Sequence, residues 1–284
     1  MHFKPLVLAA ALVATLPLAA HANTLRFARS GDVTTWDVHA HNLGPNNTLH
    51  SAVYDTLLEY NSKTFKPEPS LAERWTRISP TQLRLVLRKG VKFHSGNDFT
   101  ADDVVFSLAR TQVEGSDMKS YTNDFKEVRK IDSHTVEIET KTPFPILPDV
   151  LSLVYIMSKK WCETNQATVP VDRRKGVENT ASFKANGTGP FRVRERQPNV
   201  RTVFTRNGSY WGKIEGNVTE VVFTPIGNDA TRVAALLSGE VDVMEPVPVQ
   251  DIDRVNSSAN TRAITGPELR TIFLGMDQKL DGLL

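Results

Sequence analysis

The chain has 284 residues, 40% of them hydrophobic and 23% charged, and its 34 Lys and Arg nearly balance its 32 Asp and Glu. Such a balance argues against a nucleic-acid partner held through phosphate contacts. A single cysteine, Cys162, excludes an internal disulfide and any multi-cysteine zinc site.

Lys4 precedes an apolar run from Leu6 to Leu18, and Ala20-His21-Ala22 follows. A charged start, a short apolar run and an A-x-A site read as an export signal over residues 1–22, with a mature chain from Asn23. The run is shorter than the ~20 residues of a membrane span and contains Pro17. No cysteine follows the cleavage site, so no lipid anchor is expected. The rest suits one large domain or two ordinary ones.

Thr24 to Ala28 reads as a first strand, followed by the loop Ser30-Gly31-Asp32-Val33-Thr34-Thr35-Trp36-Asp37. Asn46 and Asn47 are expected to cap a helix whose face is Leu49, Ala52, Val53 and Leu57. His39, His41 and His50 raise the question of a metal, but hydrogen-bonded or solvated imidazoles are the preferred reading. Leu83 to Ser107 reads as strand, turn, strand, turn, helix. Leu83, Leu85 and Leu87 alternate with polar neighbours, Gly90 allows a turn, and Val91 and Phe93 resume the alternation, which predicts a β-hairpin. Thr100, with Asp103 three residues on, is the start of a capped helix with Val104, Val105 and Leu108 on its apolar stripe.

Glu114 to Asp124 reads as loop and carries Tyr121. Thr135 to Thr140 alternates as a strand, and Pro143, Pro145 and Pro148 then break the chain. Ser158 starts a short helix that holds Cys162 as a buried thiol. Asn165 to Lys184, with Asp172-Arg173-Arg174-Lys175, reads as a solvated loop. Gly187-Thr188-Gly189 has neither the third glycine nor the strand–helix context of a phosphate loop. Val221 to Met244 reads strand, helix, strand, the helix ending at Gly239, and Thr271 to Met276 alternates like a further strand. Alternating strands and helices define an α/β class. G-x-S-x-G, H-E-x-x-H and cysteine clusters are absent, and helix capping accounts for Asp102-Asp103, so a non-enzyme is expected.

Several blocks carry a resemblance. Leu87-Arg88-Lys89-Gly90-Val91-Lys92-Phe93-His94, Gly96, Phe99-Thr100-Ala101 and Asp103-Val104-Val105-Phe106-Ser107 follow L-R-x-G-V-K-F-H-x-G-x-x-F-T-A-x-D-V-V-F-S. Leu71-Ala72-Glu73-Arg74-Trp75, Gly187-Thr188-Gly189-Pro190-Phe191, Asn207 to Gly212, and Ile226, Arg232, Ala235, Leu236 with Gly239-Glu240-Val241-Asp242 supply four more. Together they resemble the family 5 extracellular solute-binding proteins, the peptide- and nickel-binding proteins of ABC importers. The chain departs from that pattern at Ser95, Asp98 and Asn228, and has Trp36-Asp37 where Leu-Asp is usual.

The resemblance implies a periplasmic-binding-protein-like lobe I, with a subdomain inserted in it and most of a second lobe missing. Lobe I would be residues 23–60 and 185–270, the insertion 61–184, and 271–284 the start of a crossover to lobe II. A chain ending there is expected to be a partial family member that binds peptides weakly or not at all, exposes an apolar face and is poorly soluble. The implied function is capture of a short peptide in the periplasm and delivery to an inner-membrane ABC permease by a monomer, with no cofactor, metal or nucleic acid. Nickel, an opine, an oligosaccharide, or a periplasmic hydrolase activity are the alternatives. The implied ligand-lining residues are Asp32, Val33, Thr34, Trp36 and Tyr121. Asp32 either meets a ligand ammonium or holds its own loop, and Trp36 is either a cleft wall or core.

Overall fold

The computed structural model describes residues 23–172, 175–266 and 274–275. The export signal over 1–22, Arg173-Arg174 and most of the strand expected at 271–276 lie outside them. In chain order the elements are β1 (Thr24–Arg29), α1 (Gly44–His50), β2 (Leu58–Tyr60), β3 (Pro67–Pro69), β4 (Ala72–Ser79), β5 (Gln82–Leu87), α2 (Ala101–Thr111), α3 (Lys119–Thr122), β6 (Phe125–Asp132) and β7 (Thr135–Thr140). There follow α4 (Leu147–Leu151), α5 (Lys159–Thr164), α6 (Thr180–Phe183), β8 (Phe191–Gln197), β9 (Arg201–Arg206), β10 (Glu220–Pro225), α7 (Asp229–Leu237), β11 (Val243–Glu245) and α8 (Ile252–Ser257).

Three sheets result. The first has the order β11-β1-β10-β9-β8, with β1 parallel to both neighbours and β10, β9 and β8 antiparallel in turn. Residue pairs Arg29–Pro225 and Arg29–Glu245 align the carboxyl ends of the three parallel strands. The crossover β10–α7–β11 carries the chain past β1. The second sheet is antiparallel, β4-β5-β7-β6, and β2 with β3 forms a small third.

Period-2 alternation along β1 feeds two cores. Phe27 packs with Trp36, Val53, Tyr54, Phe204 and Phe223, while Ala28 packs with Val233, Val241, Met244 and Val255 beneath α7. A third core joins Leu83, Leu85, Leu87, Val136 and Ile138 of the second sheet to Val104 and Leu108 of α2. The capping box at Thr100 forms, its N–H donating to the Asp103 carboxylate at 2.9 Å.

The expected hairpin of Leu83–Phe93 is not what forms. β5 pairs with β4 and β7, and residues 91–99 fold on themselves, with Phe93 N–H donating to Asn97 O and Phe99 N–H to Val91 O. Val91 and Phe93 are buried, so their alternation is real but serves loop side chains. The helix expected to be capped by Asn46 and Asn47 starts earlier, at Gly44, because both amides turn sideways to neighbouring loops. Two polar stretches read as loop each hold one helical turn, α3 and α6; an Asn179 cap, its side chain accepting from Ala181 N–H at 2.8 Å, closes the second.

Candidate functional site

In an open α/β sheet, ligands bind outside the carboxyl ends of parallel strands, where loop N–H and C=O groups are available. Here those ends are Arg29, Pro225 and Glu245, and the segments leaving them are 30–37, 226–228 and 246–248. Arg232 of α7 ties two of these segments together. It is fully buried and donates to Ile226 O at 2.7 Å and Pro246 O at 3.2 Å. Ile226 N–H donates to Arg29 O at 2.7 Å. Asp242 accepts from Arg26 N–H at 2.7 Å, which fixes the entry to β11 beside β1.

The loop after β1 is held by a buried ion pair. Arg110 of α2 donates to both Asp37 oxygens, at 2.7 and 2.6 Å, and neither side chain is exposed. Arg110 also donates to His39 Nδ1 at 3.1 Å, so Nε2 carries the proton that goes to Tyr155 O at 2.9 Å. Burial, and then the Arg110 charge, press His39 down to about 4, so it is a neutral acceptor. Although burial opposes it, the Arg110 guanidinium holds Asp37 below the usual carboxylate range. His50 donates to Thr35 O at 2.8 Å and is held by burial at about 4. Two of the three histidines considered as metal ligands therefore serve as hydrogen-bonded core groups. Among the described residues, no group of three His, Cys, Asp or Glu is placed to hold a metal ion.

The five residues implied for a ligand wall fall into two sets. Val33 and Trp36 are buried, at 2% and 0% exposure. The Trp36 ring packs on Phe204 and His50, its carbonyl accepts from Tyr54 Oη at 3.1 Å, and it supports the loop from beneath. Thr34 is exposed, Asp32 and Tyr121 half-buried. α1 joins Thr34 to Tyr121. Asn46 Nδ2 donates to Thr34 Oγ1 at 2.8 Å, Asn47 Nδ2 to Asn42 Oδ1 at 3.0 Å, and Asn42 Nδ2 to Tyr121 Oη at 3.3 Å. His41 Nδ1, 2.7 Å from Thr34 Oγ1, belongs to the same polar network.

Sequence reasoning passed over Arg196 of β8 as a site residue. Its Nη1 is 3.4 Å from Asp32 Oδ1, its Nη2 donates to Val33 O at 2.5 Å, and its guanidinium stands 5.9 Å from the Trp36 ring. It lies 164 residues from Asp32, and no local pattern marks it. A cavity of about 380 Å³ lies elsewhere, between the starts of α2 and α5, lined by Asp102, Asp103, Lys159 and Glu163. Their charges are spent on one another and on helix starts, as in Lys159–Glu163, Lys130–Asp102 and Asp103 to the N–H of Lys159.

The fold is an α/β lobe with a polar, loop-built surface at its strand ends. Residues 66–282 match the model of the bacterial extracellular solute-binding proteins, family 5 Middle, and the chain belongs to that family. It is 26% identical over 283 residues to the dipeptide-binding protein of Escherichia coli strain K12, covering 92% of this chain and 51% of that protein. Over 279 residues it is 26% identical to di/tripeptide-binding protein 1 of Pseudomonas aeruginosa, covering 90% and 50%. Among solved structures, the periplasmic binding protein DppA from Helicobacter pylori in complex with peptide STSA superposes with TM-score 0.72 at 24% identity, covering 84% of this chain and 49% of that one. MoaA from A.tumefacien R10, in complex with mannopinic acid, gives 0.72 at 27%, covering 82% and 47%. The chain spans about half the length of the curated relatives it matches. These relatives are solute-binding proteins rather than enzymes.

Proposed function

We propose that this chain captures a short peptide in the periplasm and presents it, as a monomer, to an inner-membrane ABC permease. The observation that carries the reading is the loop 30–37, set at the carboxyl ends of β1, β10 and β11 in a family 5 lobe. Such a loop offers backbone groups and the Thr34 hydroxyl to an extended ligand, a mode that binds peptides without strict side-chain preference. Thr34 and Tyr121 form the ligand side of the wall, and Asp32, Val33 and Trp36 hold it in place. The peptide-binding names of the two curated relatives support the choice of solute. An opine is the second reading, favoured by the 27% identity to MoaA.

Calorimetric titration of the chain with Met-Leu, with STSA, with mannopinic acid and with Ni(L-His) tests it. Weak but saturable heat with a peptide alone is the expected result for a chain that spans about half of its relatives. Heat with mannopinic acid alone transfers the assignment to opines, and no heat with either peptide overturns the peptide reading.

A further inference from the structure

We propose that Arg196 and Asp32 act as one clasp that positions the ligand-side loop, so that Asp32 shapes the wall instead of offering its carboxylate to a ligand cation. The inference rests on the binding reading above.

The carboxylate is already spoken for. Oδ1 accepts from Val33 N–H at 2.7 Å and faces Arg196 Nη1 at 3.4 Å, and Oδ2 accepts from Asn199 N–H at 2.8 Å. The two side chains are only 7% and 8% exposed. A ligand ammonium would have to displace partners that are built into the fold and compete with the Arg196 guanidinium for the carboxylate. From the other side, one guanidinium reaches Asp32, the carbonyl of Val33 and the ring of Trp36, three of the five wall residues. Arg196 stands on β8, the strand at the end of the sheet, whereas the loop leaves β1. The clasp thus ties the edge strand β8 to the loop after the inner strand β1, with β10 and β9 between them in the first sheet. Asn199, in the β8–β9 turn, has φ 58°, a left-handed conformation that Asn tolerates better than most residues, and it aims its N–H at Asp32. Arg196 and Asp32 are positioning residues, with Thr34 as the group they present.

The test is a double-mutant cycle on the chain with Asp32→Asn, Arg196→Gln and both together. It is read by amide hydrogen exchange at Val33 and Thr34 and by Met-Leu affinity. Each single variant is expected to speed exchange at these two amides by about tenfold or more. The double variant should add little, because the pair acts as a unit. Met-Leu affinity should fall by a similar factor in all three. Arg196→Lys, which keeps the charge but loses the forked reach, should fall between and remains informative if Arg196→Gln fails to fold. Asp32→Asn weakening Met-Leu while Arg196→Gln leaves both affinity and loop exchange at the parental level would make Asp32 a ligand contact and overturn the clasp. Additive exchange effects would overturn it too. If the parental chain binds no Met-Leu, the functional reading fails by itself, and the exchange cycle still decides the clasp.

Discussion

Gly187 and Gly189 show what a family motif does at the scale of single residues. The pair looks like part of a phosphate loop, yet the space around it is filled by protein backbone. A Cβ on Gly187 would sit 2.0 Å from Val53 O, and one on Gly189 would sit 2.6 Å from the Val53 carbonyl carbon. Gly189 N–H donates to Val53 O at 2.9 Å and Phe191 N–H to Ala52 O at 2.9 Å, so the segment enters β8 pressed against residues 52–54. Here glycine is required by close approach of two chains, not by a ligand. Gly187→Ala is therefore expected to lower stability by about 1–3 kcal/mol or more, the cost of overpacking a site that cannot expand. Urea unfolding measures this; an unchanged midpoint would show that residues 52–54 yield freely. Gly208, where a Cβ meets nothing within 4 Å, is the matched control.

Element by element, what was legible in the sequence is what depends on near neighbours. The strand Thr135–Thr140, the Ser158 start of α5 and the β10–α7–β11 unit all follow from short-range periodicity or capping chemistry. The pairing of β5 was not legible, since its partners are chosen by a core that Leu83, Leu85 and Leu87 share with Val136 and Ile138, residues remote in sequence. In the candidate site the loop and Thr34 were marked by the family block, while Arg196 and the Asn47–Asn42 bridge to Tyr121 depend on long-range contacts that no local pattern encodes. Asn228 tests the local half of this contrast. It stands where family members usually carry Asp, and its side chain accepts from Thr231 N–H at 2.9 Å as the cap of α7. Either side chain supplies that oxygen, and Asp adds a charge favourable at a helix start. Asn228→Ala should lower stability by about 1 kcal/mol in thermal unfolding, and Asn228→Asp should hold or slightly raise it. Equal losses in both variants would mean that the cap is not what position 228 supplies.

Three imidazoles, two buried and one half-buried, couple the stability of the whole molecule to pH. His39 sits between Arg110 and Tyr155 O, His50 against Thr35 O, and His94 against Gly189 O at 3.0 Å. Each uses Nε2–H as donor. A second proton on Nδ1 would face Arg110 in His39, and would enter a buried position without a hydrogen-bond partner in His50 and His94. Burial presses all three from the ordinary 6.5 to about 4. Between those two values the unfolded chain binds more protons than the folded one, so stability is complete above pH 6.5 and falls as the pH drops toward 4. Each histidine contributes up to roughly 1.4 kcal/mol per pH unit in that window. Burial also raises the carboxyl groups of Asp55 and Asp103, which work in the opposite sense, since a raised acid takes up its proton more readily in the folded state. Three histidines in the window from 6.5 downward outweigh them until carboxyl protonation begins. The expected outcome is a urea midpoint that is flat from pH 8 to 7 and declines steadily from 6.5 to 5. His94→Gln should lower stability at pH 7, because Gly189 and its neighbours lose a fitted ring, but should make the acid decline shallower. A midpoint that stays level from pH 7 to 5 in the parental chain would mean that these imidazoles gain protons without cost, and that their burial does not govern the fold's response to acid.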